Sequence, residues 1–201
     1  MKESDTTIEP ALTMDYKNIY YPPGGILIWI IIMLELITFG VALIVMVVLS
    51  RSETELFHQM GAKLNTLLGS LNTVVLLTSG LFMARSLHFF REENFQKSKI
   101  YLQLTMVSGS VFICFKAFEY HQKIVEGIAL GSNTFMNFYW LLTGFHLIHV
   151  LVGIVLLATF YSNISKRPEK IDITDLEATA SFWHMCDLIW LVLFPVLYLL
   201  F

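Results

Sequence analysis

Eight side chains in this 201-residue chain combine a reactive or polar type with an otherwise apolar neighbourhood: Glu35, Glu119, His146, His149, Glu177, His184, Asp187 and Trp190. An ionisable group inside a lipid-spanning helix is expensive, so each one is a functional candidate by default. His146 and His149 are three residues apart and share a helix face, as do His184 and Asp187. Three kinds of chemistry fit such a set. Interhelical hydrogen bonds could fix how helices pack. A carboxylate such as Glu35 or Asp187 could take up and release protons. Histidines could ligate a metal or haem, although His-x-x-His without a placed third ligand is a weak metal signal. Cys114 and Cys186 sit in apolar runs outside any Cys-x-x-Cys spacing and read as small buried hydrophobes.

The elements that must position these residues are transmembrane helices. The chain is 56% hydrophobic and 14% charged, and its charges fall in short blocks. A soluble helical protein would instead need a charged outer face on every helix. Five stretches are long enough to cross a bilayer core, at about 20 residues each. They run over about 26–49, 64–84, 100–120, 135–161 and 178–201. Backbone groups in lipid must be satisfied within the segment, so the fold class is all-α, an integral membrane bundle of five helices. The expected organisation is a polar tail over 1–24 followed by a membrane domain over 25–201. The tail has neither a cleavable signal pattern nor the Arg-rich pattern of a transit peptide, so the first helix is expected to be retained.

Lysine and arginine placement sets the expected orientation. With the N-terminus inside, nine lie on the inner side and four on the outer side. The prediction is a cytoplasmic N-terminus and a periplasmic C-terminus. Lys116 and Glu119 are expected to snorkel as a local ion pair where the third stretch leaves the membrane. At 1.5 Å per residue, Glu35 and Asp187 each lie about 13 Å into their stretches, which run the same way. His146 and His149 come out roughly 18 to 22 Å along the oppositely directed fourth stretch. These groups are expected to converge on the middle of the bundle. A net charge of −3 points to no nucleic-acid partner.

The last two stretches resemble a known family. Thr143-Gly-Phe-His-Leu-Ile-His149 with Gly153, and Glu177 through Trp183-His184-Met-Cys-Asp187-Leu-Ile-Trp190, resemble the final two helices of haem-copper oxidase subunit III. Lys116-Ala-Phe-Glu119-Tyr120 and the Asn72-Thr73 to Thr78-Ser79 segment are similar to further helices of that family. Glu35 lies where the family has its intramembrane carboxylate. The Pro22-Pro23-Gly24-Gly25 lead-in departs from the family's usual approach.

The resemblance implies a short, five-helix accessory subunit in a bacterial cytoplasmic membrane. Such a subunit supports the stability and proton uptake of a catalytic subunit I, among other oxidase subunits and membrane lipids. It binds no cofactor of its own; haem and copper belong to the catalytic partner, and no catalytic or metal-ligating residue is expected here. Glu35 would be the carboxylate of interest, with Glu119, His146, His149, Glu177, His184, Asp187 and Trp190 as its motif neighbours. The subunit III-like accessory protein of nitric oxide reductase is the alternative. A small transporter or proton channel would need helices broken at mid-membrane. Only Pro195 interrupts a helix interior, near the outer end of the last stretch.

Overall fold

A computed structural model describes residues 22–166 and 172–201. The expectations attached to the first 21 residues and to 167–171, including four of the counted lysines and arginines, lie outside the described residues. The described chain forms six helices: α1 (Ile26–Ser50), α2 (Thr54–Gly61), α3 (Thr66–Arg91), α4 (Phe95–Val125), α5 (Thr134–Lys166) and α6 (Ile173–Tyr198). All but α2 are long and apolar enough to cross a membrane, and the chain is a multi-pass membrane protein.

Most of the spanning helices extend beyond their apolar stretches. An apolar run marks where lipid must be crossed, whereas a helix ends where its backbone groups find caps. Asn65 accepts from the Leu68 amide at 3.0 Å, Asn94 from Lys97 at 3.3 Å and Asp172 from Thr174 at 2.9 Å. Each is a side-chain oxygen at the N-cap, one of the residue types that favour that position. At 25 to 33 residues the five helices exceed the roughly 20 needed for a hydrocarbon core, so they tilt or project into the interface.

The short α2 was not anticipated. Eight residues cannot span a bilayer, and a hydropathy search for spans passes over them. It caps one end of the bundle, where buried Phe57 meets Phe135 at 5.3 Å and Phe201 at 5.1 Å between ring centroids.

Spans consecutive in the chain run antiparallel. At one end the Arg91 guanidinium, closing α3, reaches Glu177 near the start of α6. At the other, Lys123 near the end of α4 donates to the Lys63 carbonyl just before α3. The helix α6 packs against α1, α3 and α5 and is the most buried span. Trp183 explains how it reaches so far into the bundle. A β-carbon on Gly109 of α4 or Gly153 of α5 would come within 2.6 or 2.8 Å of its indole. The ring therefore lies against two helix backbones, and its Nε1 donates to Ser79 Oγ of α3 at 3.0 Å. Without a hydrophobic drive between helices in lipid, such small-residue contacts carry the association. Pro195 sits on an exposed face and α6 continues past it to Tyr198.

The unusual lead-in has a structural cause. Gly24 has φ +77°, and a β-carbon there would lie 2.6 Å from the Ala178 backbone. Its amide points to Glu177 Oε2 at 3.3 Å. Glycine is required twice over, by its left-handed backbone and by the close approach to α6.

Candidate functional site

The mid-membrane polar groups separate into three places. On the α1/α5 side, Glu35 Oε1 lies 3.3 Å from His149 Nε2. The two side chains are 22% and 12% exposed, so the pair is neither in the core nor open to lipid. His149 Nδ1 is 2.8 Å from the Phe145 carbonyl, four residues back on α5. A carbonyl oxygen only accepts, so Nδ1 must carry a hydrogen. The contact with Glu35 is then complete only with one proton in the gap, either on the carboxyl or on Nε2. With neither, two acceptors would face each other. Glu35 Oε2 is buried without a hydrogen-bond partner. Phe39 stacks on Phe145 and meets the His149 ring edge-on, and Phe182 stacks on that ring, walling the pair with aromatics.

His146 lies one face inward on the same helix and is fully buried. Its ring stacks on Trp190 at 5.4 Å and meets Phe112 edge-on at 5.7 Å, and neither nitrogen has a hydrogen-bond partner. Trp190 in turn donates through Nε1 to Thr73 Oγ1 at 2.9 Å. These two residues are therefore core side chains at the α3/α4/α5/α6 junction.

The third place is the α3/α6 side. Asp187 Oδ2 is 3.5 Å from His184 Nδ1 and sits over Gly80, where a β-carbon would lie 2.3 Å from it. The missing side chain on α3 makes the recess that holds this carboxylate. His184 is 45% exposed and Asp187 8%. Glu35 and Asp187 therefore do not converge as their similar depths suggested. Depth along a helix fixes a level, while the face each residue occupies sends one toward α5 and the other toward α3.

Glu119 belongs to a separate buried cage. Lys116 Nζ donates to Glu119 Oε2 at 2.9 Å, to Tyr198 Oη at 3.0 Å and to Tyr139 Oη at 3.2 Å. Tyr198 Oη donates to Glu119 Oε1 at 2.7 Å. The ammonium also lies over the rings of Tyr120 and Tyr139, each at 4.9 Å, and of Trp190 at 5.4 Å. The ion pair expected from sequence exists, but the snorkelling does not, because both side chains are almost fully buried. Their spacing carried the signal. Phe112, Lys116, Glu119 and Lys123 recur at three and four residues, the period of a single helix face, and all four are buried. Tyr139 and Tyr198 could not have been assigned to the cage from sequence, since they come from other helices.

Glu177 is 3% exposed and holds the Arg91 guanidinium at 2.6 Å together with the Gly24 amide. Its role is to tie the approach to α1 and the end of α3 onto α6. Among the described residues no three His, Cys, Asp or Glu side chains come together in the manner of a metal site.

Known proteins resemble the chain over most of its length. The family model described as cytochrome c oxidase subunit III matches residues 30–200. A cytochrome c oxidase subunit 3 from Rhipicephalus sanguineus is 36% identical over 132 residues, 64% of this chain and 49% of that protein. One from Schizophyllum commune is 34% identical over 128 residues, 63% of this chain and 47% of that protein. The chain thus spans about half the length of these two relatives. A third, from Thermostichus vulcanus, is 27% identical over 179 residues, covering 88% of this chain and 86% of that protein. On a match that takes in α3 to α6 entire and most of α1, the chain belongs to the cytochrome c oxidase subunit III family.

Proposed function

We propose that the chain is an accessory subunit of a bacterial haem-copper terminal oxidase. It would sit in the cytoplasmic membrane with its N-terminus inside, against the catalytic subunit that carries haem and copper. In this reading it stabilises that subunit through repeated turnover and supports its proton uptake. The carrying observation is the Glu35–His149 pair, which sets a carboxyl group 3.3 Å from an imidazole nitrogen inside the bilayer, while the other ring nitrogen is taken up by the Phe145 carbonyl. A carboxyl–imidazole pair there, half-buried between α1 and α5, is suited to receive a proton and pass it on. The orientation rests on the lysines and arginines. The burial of Lys116 removes one charge from the outer side and widens the asymmetry.

Purification of the complex in mild detergent tests the assignment. Haem and copper travelling with the chain support it, whereas a non-haem-iron nitric oxide reductase partner, or a chain that purifies alone, refutes it. Glu35→Gln tests the proton role. Glutamine still donates to His149 Nε2, so assembly is expected to stay intact while activity declines faster over successive turnovers. A variant that sustains turnover like wild type would leave the pair with packing alone.

A further inference from the structure

His184 is a polar side chain exposed where the surrounding surface is hydrocarbon. It lies about 16 Å from the start of α6 and about 21 Å from its end, near the middle of a core roughly 30 Å thick. Ser181, His184, Leu188, Leu191 and Val192 recur at three- and four-residue spacing along one strip of α6. His184, Leu188, Leu191 and Val192 are all more than two-fifths exposed, and Leu77 and Leu81 of α3 extend the face. The strip lies beside the Gly80 recess, between α3 and α1.

The dyad fixes what His184 offers. Only a dyad of zero net charge avoids an uncompensated charge in the bilayer. That leaves a carboxylic acid donating from Oδ2 to Nδ1, or a carboxylate beside an imidazolium; an acid hydrogen on Oδ1 would have nothing to donate to, because that oxygen is buried without a hydrogen-bond partner. In both forms Nε2 carries a hydrogen, and with Nδ1 turned toward Asp187 that nitrogen is left to the exposed side of the ring. The face therefore presents one hydrogen-bond donor in an apolar strip at mid-membrane. Hydrocarbon chains cannot accept it, and lipid head groups lie about 15 Å away. A second copy of this chain related by a two-fold axis would place donor against donor.

We propose that the α3/α6 face carrying His184 docks a transmembrane helix of another subunit, one that offers an oxygen acceptor opposite Nε2. The inference deepens the subunit reading and rests on the chain working inside a larger membrane complex. Asp187 acts here as a positioning residue, holding the imidazole in its recess over Gly80. The Glu35–His149 pair differs in this respect, because both of its ring nitrogens are already engaged by this chain.

The test uses the intact complex in native membranes. A photo-crosslinking phenylalanine replaces Leu188 on the strip or, as a control, Val155 on α5, which is 62% exposed. The expected product joins position 188, and not 155, to a transmembrane segment of a co-purifying subunit, with an oxygen-bearing side chain at the mapped contact. His184→Leu should then release the chain from the complex roughly three- to twentyfold faster under detergent challenge, the span of measured interhelical hydrogen bonds. His184→Gln, which retains a donor, should stay near wild type. Crosslinks from position 188 to lipid alone or to a second copy overturn the inference, as does a His184→Leu variant released at the wild-type rate. Haem content of the crosslinked partner scores the oxidase assignment separately, so either can fail without the other.

Discussion

Removing the ammonium of Lys116 isolates the energetics of the aromatic cage. The Lys116 Nζ to Glu119 Oε2 distance of 2.9 Å corresponds to about 6 kcal/mol of attraction at an effective dielectric near 20. Desolvating both groups offsets much of that. The loss on deleting one partner is instead governed by the charge left behind, about 3–5 kcal/mol for a buried pair. Lys116→Met keeps the length and most of the volume of the side chain while leaving Glu119 uncompensated among Tyr139, Tyr198 and Trp190. It is therefore expected to destabilise the fold by about 3–5 kcal/mol. Lys116→Met with Glu119→Gln removes both charges yet retains an acceptor for Tyr198 Oη, which donates to Glu119 at 2.7 Å. The double variant is expected to recover at least about 2 kcal/mol of the loss, the signature of a coupled pair. Titration with a denaturing detergent in mixed micelles, followed by tryptophan fluorescence, gives the three stabilities on one scale. The reasoning is refuted if the single variant loses less than about 1 kcal/mol, or if the double variant is no more stable than the single.

Two substitutions to alanine should differ in severity although both place a β-carbon too close. Gly153→Ala meets the Trp183 indole at 2.8 Å, and that ring is held by Ser79 and flanked by Gly109, so about 1–3 kcal/mol of overpacking is expected in the same unfolding titration. Shrinking the ring with Trp183→Phe should relieve the clash. Gly80→Ala meets chiefly the Oδ2 oxygen of Asp187, which can rotate away, and alanine regains about 1 kcal/mol of helix propensity. Its net effect on stability should be smaller, while the Asp187–His184 contact loosens, read as a faster release of the chain from its complex.

The five spans were legible because hydrocarbon imposes a length and forbids charge, and both leave a mark in a single sequence. Their ends were less legible. The caps Asn65, Asn94 and Asp172 lie outside the apolar runs, in polar segments where many residues could serve. The cage around Lys116 was half legible. Helical period places Phe112, Lys116, Glu119 and Lys123 on one face, but treating a charged helix end as interfacial sent them outward. What faces the ammonium comes from α5 and α6, and a pattern along one helix does not identify its neighbours. The same limit separated Glu35 from Asp187. Rise per residue gives depth, whereas azimuth depends on which helices flank each face. Gly80 is the residue that decides it for Asp187, and one glycine among eleven carries no sign of such a role.

Two histidine–carboxylate pairs at mid-membrane would be redundant if they did the same work, and their geometry argues that they do not. In the α1/α5 pair, Phe145 fixes one nitrogen and Glu35 completes the other, so a change in proton number is the transaction left to it. In the α3/α6 pair, Asp187 occupies one nitrogen and the other is exposed, so binding is what remains open. The distinction predicts opposite phenotypes in the same complex. Glu35→Gln should shorten sustained activity while the subunit stays bound. His184→Leu should weaken subunit retention while the complexes that remain intact keep their activity per turnover. A His184→Leu complex that holds its subunit yet decays during turnover, as Glu35→Gln is expected to, would show that the two pairs belong to one function, and that their separation onto two faces of the bundle has no mechanistic meaning.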